Sequence, residues 1–193
     1  MQRLAIFASG GGSNARKIIE YFEGRSGVAV ALIVSNKADA PVLELARARG
    51  VDSLVLDRAS FYQSENILEE LRRRQIDFIA LAGFLWLAPP YLVRAFQGRM
   101  VNIHPALLPK FGGKGMYGQH VHEAVKTAGE TETGMTIHFV NEIYDSGDII
   151  FQARCPVEPT DTPETIARKV LALEHQHYPE VLYRLMTAAE PGR

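Results

Sequence analysis

Short apolar runs alternate with stretches whose apolar residues recur every three or four positions. Apolar runs at 4–8, 28–35, 53–56, 78–82 and 100–103 predict strands, the third of them weak, and helical periodicity predicts helices over 14–22, 40–49, 65–74 and 89–96. Ile67, Leu68 and Leu71 share one face of the third helix, Gly50 stops the second, and Pro89 opens the fourth, where its missing N–H has no partner to lose. Strands separated by helices of roughly ten residues imply parallel βαβ units in an open sheet covered on both faces. After Ile103 the rhythm changes. A glycine-rich loop, FGGKGMYG, precedes a helix over 120–128; strand patterns follow at 136–140 and 149–156, then a long helix over 163–186. The pattern therefore predicts one α/β domain spanning residues 1–193, with a mostly parallel, Rossmann-like sheet and antiparallel strands in the C-terminal half. The tail AAEPGR is expected to fray.

Open sheets of this kind bind ligands beyond the carboxyl ends of their parallel strands. Three segments fall there, GGGSN, GFLWL and NIHP, and they are expected to converge. In the first, Gly10, Gly12 and Ala15 satisfy the dinucleotide spacing G-x-G-x-x-A. Dinucleotide binders usually place a carboxylate about 20 residues further on, whereas here the second strand ends in VSNK, with Asp39 nearby. A phosphomonoester is the preferred ligand, held by the amides of residues 11–14 and the Ser13 hydroxyl. A dinucleotide and a bare tight turn are the alternatives, although three successive glycines exceed what a turn requires.

The stretch VNIHPALLPK places Asn102 and His104 two residues apart, so their side chains leave the same face of a strand, and Pro105 turns the chain away. A catalytic histidine needs a group that fixes its tautomer and tunes its charge. Asp145 and Asp148, in the turn IYDSGDII, are the acidic candidates in this half of the chain. Taken singly, each of these residues has an ordinary reading as a strand-end or turn residue. Taken together, Asn102, His104 and Asp145 make an acyl-transfer set of amide donor, imidazolium and carboxylate. Sequence spacing alone does not bring Asp145 to His104.

Composition narrows the classes. With 21 basic against 22 acidic side chains, nothing marks nucleic acid or an acidic membrane surface as a partner. The single cysteine, Cys155, rules out an internal disulfide and a multi-cysteine zinc framework and suits a reducing cytosol. No run approaches the ~18 apolar residues of a membrane span, and the N-terminal apolar stretch is too short for a signal peptide. A soluble, uncleaved, cytoplasmic protein is expected.

These motifs together resemble the folate-dependent formyltransferase family over nearly the whole chain. GGGSNARKII is similar to that family's GSN phosphate loop, VSNKADAPVLELA to its SNK-x-x-A-x-x-L-x-x-A segment, and ALAGFLWLAP to LAGF-x-x-x-L-x-P. NIHPALLPKF is similar to N-I-H-P-S-L-L-P, GMTIHFVNEIYDSGDIIFQ to G-x-T-V-H-F-V-x-x-x-x-D-x-G-x-I-I-x-Q, and ALEHQHYP to a terminal EH-x-x-Y-P. The NIHP and D-x-G motifs are specific to the superfamily; GSN and EH-x-x-YP pick out its glycinamide branch.

The resemblance implies that the formyl group of 10-formyltetrahydrofolate passes to the amine of 5-phosphoribosylglycinamide in de novo purine biosynthesis, without a metal. It implies that Asn102 donates to a tetrahedral oxyanion, that protonated His104 stabilises it, and that Asp145 raises the histidine pKa. It assigns Gly11, Gly12, Ser13 and Asn14 to the phosphate and Glu174 to the ribose or amine end. Folate would lie along Phe84, Leu85, Trp86, Leu87, Ala88, Asn102, Asn141 and Asp145. Without the resemblance, Glu174 and His175 read as a solvated helix face, and at least one of Phe84, Leu85 and Leu87 reads as core.

Two features depart from the family pattern. Trp86 stands where many relatives carry arginine. KFGGKGMYGQHVHEAV is longer than the usual K-Y-P-G-x-H-T-H-x-x-A-L, with His120 and His122 matching its two histidines, and is slightly similar to F-x-G-A-x-P-Y-x-Q-A of formyltetrahydrofolate deformylases. A 10-formyltetrahydrofolate deformylase is the near alternative, but those enzymes normally carry an N-terminal regulatory domain and the first strand here starts at residue 3 or 4. Methionyl-tRNA formyltransferases normally add a C-terminal tRNA-binding domain. A nucleotide-binding oxidoreductase is the alternative from another class, and a non-catalytic binding module is the least favoured. The partners expected are small molecules, with no nucleic acid and no membrane, for a monomer or homodimer.

Overall fold

The computed structural model describes residues 1–188; residues 189–193, most of the tail expected to fray, lie outside the described residues. Two compact units divide the chain. The first comprises Met1–Phe84 and the chain from Tyr178 on; the second is Leu85–His177.

In the first unit, β1 (Gln2–Phe7), β2 (Val28–Ser35), β3 (Asp52–Val55) and β4 (Phe78–Leu81) lie in the order β3-β2-β1-β4, every neighbouring pair parallel. β1 is flanked on both sides, and Leu4, Ile6 and Phe7 in it are fully buried, as are Leu32, Ile33 and Val34 in β2. That continuous burial explains why these strands read as unbroken apolar runs rather than as alternating ones. The helices α1 (Ser13–Phe22), α2 (Pro41–Ala48) and α4 (Asn66–Arg73) bury the faces their periodicity predicts, Ile18, Ile19 and Phe22 in α1 and Ile67, Leu68 and Leu71 in α4. Between β3 and α4 lies a helix absent from the sequence prediction, α3 (Arg58–Gln63). Its six residues are too few to display a period. Its signal is the cap: the Asp57 side chain accepts a hydrogen bond from the Ser60 amide at 2.9 Å.

The second unit holds α5 (Pro90–Ala95), β5 (Met100–His104), α6 (Gln119–Thr127), β6 (Glu132–Phe139) and β7 (Ile149–Pro156), with β6 antiparallel to both β5 and β7. α7 (Pro163–Thr187) begins here and, from Tyr178, belongs to the first unit, where the Tyr178 hydroxyl donates to the Leu81 carbonyl at 2.9 Å. β6 starts at Glu132, four residues before the predicted start, and Gly134 is one of its ladder residues. A Cβ on Gly134 would stand 1.9 Å from the Ala153 carbonyl oxygen, so glycine is the residue that lets β7 pair this closely. Parallel strands early and antiparallel strands late, with intervening helices, give the α/β class that the pattern predicts. No helix among the described residues is long and apolar enough to cross a membrane.

Candidate active site

The glycine loop of the first unit runs from the tip of β1 into α1. Gly12 is the N-cap of α1 in the left-handed region, φ 70°, and a Cβ there would lie 2.4 Å from Val42 Cγ2. Both its conformation and its packing therefore demand glycine. A Cβ on Gly10 or Gly11 would meet nothing within 4 Å. These two exposed glycines leave open space in front of a helix N-terminus, a place suited to an anion. Ser13 is exposed there and Asn14 is buried at 8% exposure. At the tip of β2, the Ser9 hydroxyl donates to Asn36 Oδ1 at 2.6 Å, so an amide stands where a dinucleotide site usually has its carboxylate.

In the second unit β5 delivers Asn102 and His104 to one face, and the antiparallel register sets His138 opposite Asn102 and Thr136 opposite His104. Asp145 reaches this face from the loop between β6 and β7. The loop is tied internally: Asn141 Oδ1 accepts from the Ile143 amide and the Ser146 hydroxyl, both at 3.0 Å, and the Phe139 amide donates to the Asp148 carbonyl at 2.9 Å. Gly147 passes so close to β6 that a Cβ would lie 1.8 Å from the Phe139 carbonyl oxygen. Asp145 itself is left-handed at φ 52°, a conformation that aspartate tolerates better than most residues.

The three predicted catalytic residues meet. Asn102 Nδ2 donates to Asp145 Oδ1 at 3.3 Å, and His104 Nδ1 lies 3.5 Å from Asp145 Oδ2, an ion-pair distance rather than a good hydrogen bond. The loop after Lys110 closes on the same atoms. His104 Nε2 is 2.8 Å from the Phe111 carbonyl oxygen, which only accepts, so Nε2 carries a hydrogen. The Gly113 amide donates to Asp145 Oδ2 at 2.9 Å. Phe111 is left-handed at φ 56°, and a Cβ on Gly112 would press on Leu108 at 2.5 Å and Asp145 Cβ at 3.2 Å. A cavity of about 420 Å³ opens beside Asp145, walled by Leu108, Pro109, Gly113, Tyr144 and Ile149.

The charge on His104 departs from expectation. Burial pushes its pKa below the usual histidine value, the Asp145 carboxylate and the Phe111 carbonyl push it up, and His138 pushes it down; the net direction is downward. Asp145 supports the imidazolium, but at 3% exposure desolvation of the ring outweighs it. For Asp145, burial raises the pKa, yet contact with His138, the His104 charge and the Gly113 amide together hold the carboxyl below its ordinary range. His122, one of the two histidines of α6, is also depressed, by burial and then by the charge of His104, and its Nδ1 has no hydrogen-bond partner.

Phe84 belongs to the first unit, edge-on to Phe7 at 5.3 Å and to Phe61 at 6.0 Å, a packing contact of the kind expected for one of these side chains. Leu85 is exposed, Trp86 and Leu87 are half-buried, and Ala88 is buried. Glu174 is 7% exposed, so the solvated-face reading of that helix position is corrected: the carboxylate lies on the inner side of α7. The structure adds His138 and the backbone of 111–113, which the sequence motifs do not single out. The signal for His138 was available, since Thr136 and His138 alternate within TIHFV as Asn102 and His104 do within VNIH.

Residues 2–182 match the family described as Formyl transferase. The chain belongs to the formyl transferase family. The chloroplastic phosphoribosylglycinamide formyltransferase of Arabidopsis thaliana is 48% identical over 187 residues, covering 94% of this chain and 64% of that one. The phosphoribosylglycinamide formyltransferase of Bacillus subtilis (strain 168) is 37% identical, covering 96% and 95% of the two chains. Among solved structures, phosphoribosylglycinamide formyltransferase from Bacillus halodurans superposes with a TM-score of 0.88 at 40% identity, covering 98% of this chain and 97% of that one. The chain spans 64% and 61% of the lengths of its Arabidopsis and Vigna unguiculata relatives. The family resemblance carried by the motifs and the formyltransferase α/β fold are both borne out.

Proposed function

We propose that this formyl transferase family member is a phosphoribosylglycinamide formyltransferase of de novo purine biosynthesis, its residues 1–193 acting as one domain. The observation that carries the reading is the meeting of Asn102, His104 and Asp145 within 3.3–3.5 Å on one face of the β5–β6 pair. In this reading the primary amine of 5-phosphoribosylglycinamide attacks the formyl carbon of 10-formyltetrahydrofolate. The new C–N bond sends the carbonyl electron pair onto oxygen, where Asn102 donates and protonated His104 supplies charge. Collapse breaks the bond to the folate nitrogen, which receives the proton lost by the amine through water. Gly11, Gly12, Ser13 and Asn14 take the phosphate and Glu174 the ribose or amine end. Phe84, Leu85, Trp86, Leu87, Ala88, Asn102, Asn141 and Asp145 form the folate side. Support for the phosphate assignment comes from the open space at Gly10 and Gly11 before α1.

His104 must lose its contact with Phe111 for Nε2 to face a reacting oxygen, so substrate competes with the 111–113 backbone. Near-neutral charge and a single half-buried cysteine, whose thiol burial pushes up, support a small-molecule enzyme of the reducing cytoplasm, monomeric or dimeric, that binds no nucleic acid and no membrane. The test is incubation with 10-formyltetrahydrofolate, with and without phosphoribosylglycinamide. Tetrahydrofolate release that depends on the nucleotide is expected; release indifferent to it identifies a deformylase. His104→Ala is expected to abolish most turnover while retaining nucleotide binding, and near-normal turnover removes His104 from the mechanism. An oxidoreductase, which Asn36 argues against, would reduce NAD with no folate chemistry.

A further inference from the structure

We propose that His138, which none of the predicted roles uses, is a positioning residue that fixes the orientation of the Asn102 carboxamide by accepting one of its two hydrogens. The inference rests on the formyl-transfer reading of Asn102 and deepens it.

His138 Nδ1 is 2.8 Å from the Phe139 carbonyl oxygen, which can only accept, so the hydrogen of the neutral ring sits on Nδ1 and Nε2 keeps a bare lone pair. Nε2 lies 3.1 Å from the Asn102 carboxamide, and Asp145 Oδ1 lies 3.3 Å from the same amide nitrogen. Both neighbours are acceptors. With Nδ2 toward them, the amide makes two hydrogen bonds; turned over, its oxygen would face a lone pair and a carboxylate at once. The ring is 2% exposed, so no bulk water screens that choice.

The consequence is a division of labour between the two amide hydrogens. The longer contact, to Asp145, is the one a substrate oxygen can take over, while the shorter bond to His138 keeps the amide from rotating as it does so. His138 sits directly opposite Asn102 in the β5–β6 register, so the backbone ladder holds donor and acceptor at fixed separation. His138 Nε2 is also 3.6 Å from Asp145 Oδ1, too far to bond well; His138 supports the Asp145 carboxylate only when Nε2 also carries a hydrogen, and in the neutral ring the lone pair is left to Asn102.

The experiment compares wild type with His138→Gln and His138→Leu. A glutamine carbonyl can reach the place of Nε2 and accept; leucine fills the space and cannot. Expected in His138→Leu is a fall in kcat on the order of tenfold to a hundredfold, with KM for both substrates within about twofold, and substantial recovery of kcat in His138→Gln. Equal loss in both variants, or a loss confined to KM, overturns the proposal. Nitrogen-15 NMR of wild-type histidines tests it without any variant: His138 must show a protonated Nδ1 and a bare Nε2, and the opposite tautomer overturns it even where the leucine variant fails to fold. Absence of formyl transfer in wild type would sink the functional reading instead, while the NMR result would still stand or fall by itself.

Discussion

Thr136 offers the sharpest test of how the turn after His104 is held. Its side chain is fully buried opposite His104, and its hydroxyl donates to the Ala106 carbonyl at 2.7 Å while accepting from the Leu108 amide at 3.0 Å and Gln152 Nε2 at 2.9 Å. Thr136→Val keeps the shape and removes the oxygen. Gln152 retains its bond to the Leu108 carbonyl, but the Leu108 amide and the Ala106 carbonyl are orphaned. At about 1–3 kcal/mol for each unsatisfied buried group, the loss is about 3 kcal/mol after partial relaxation. Thr136→Ser keeps the oxygen and removes one methyl group, worth about 1 kcal/mol. The valine variant should therefore be the less stable by about 2 kcal/mol, or roughly 4–8 °C in Tm for a chain of this size. Urea and thermal unfolding of the two variants decide the matter. If the serine variant proves the less stable, packing rather than hydrogen bonding holds this turn and the reasoning is wrong.

Gly12→Ala places a Cβ against Val42 in a left-handed conformation and should destabilise by about 1–3 kcal/mol. Adding Val42→Ala should recover the steric part and leave the conformational part, and a double mutant no better than the single would disprove the contact. Acidification should destabilise the protein below about pH 6.5, the ordinary histidine value. His104 and His122 have depressed pKa values in the folded chain, so the unfolded chain binds more protons there and stability rises with pH. Asp145, also depressed, acts in the same direction at lower pH. In urea titrations between pH 7.5 and 5.5, His122→Leu should show a shallower slope than wild type; an unchanged slope removes His122 from the account. Gly134→Ala should be among the most damaging single changes, costing about 3 kcal/mol or more, because its Cβ meets the β7 backbone rather than a movable side chain; a loss below about 1 kcal/mol would show that the strands can separate at that point.

How far the sequence reveals this molecule depends on the range of the force concerned. β1, β2 and β4 are legible because burial on both faces leaves a continuous apolar run, and α4 because Ile67, Leu68 and Leu71 recur at helical spacing. α3 is not legible by period, since one turn and a half is fixed by a cap at Asp57. The early start of β6 is not legible, since a glycine that breaks a strand and one that admits a close neighbour look identical until β7 is in place. At the site, Asn102 and His104 announce themselves through spacing, and their meeting with Asp145 becomes visible only when the β6–β7 loop bends. The depression of His104 was hidden altogether. Its sign is a contest between a named charge, which sequence can suggest, and burial, which only the packed structure supplies.

That contest has a chemical consequence for the proposed mechanism. Both ring nitrogens of His104 face acceptors, Phe111 O at 2.8 Å and Asp145 Oδ2 at 3.5 Å, so the local geometry favours hydrogens on both and hence the imidazolium. Desolvation pulls the other way and prevails, because the ionic contact with Asp145, the larger of the two supports, is long and the other partner is a neutral carbonyl. The charge is therefore set by small changes at either nitrogen rather than locked by a tight ion pair. Replacing Phe111 O with an oxygen that develops negative charge would strengthen the contact at Nε2 by the full difference between a dipole and an ion, and favour the proton where the reaction needs it. A histidine already fixed as imidazolium by a short salt bridge would gain less from that exchange, since catalysis depends on the difference between its interactions before and during bond formation. Under the proposed mechanism, burial that lowers the His104 pKa in the resting site would thus increase, rather than oppose, the stabilisation His104 gives as charge appears.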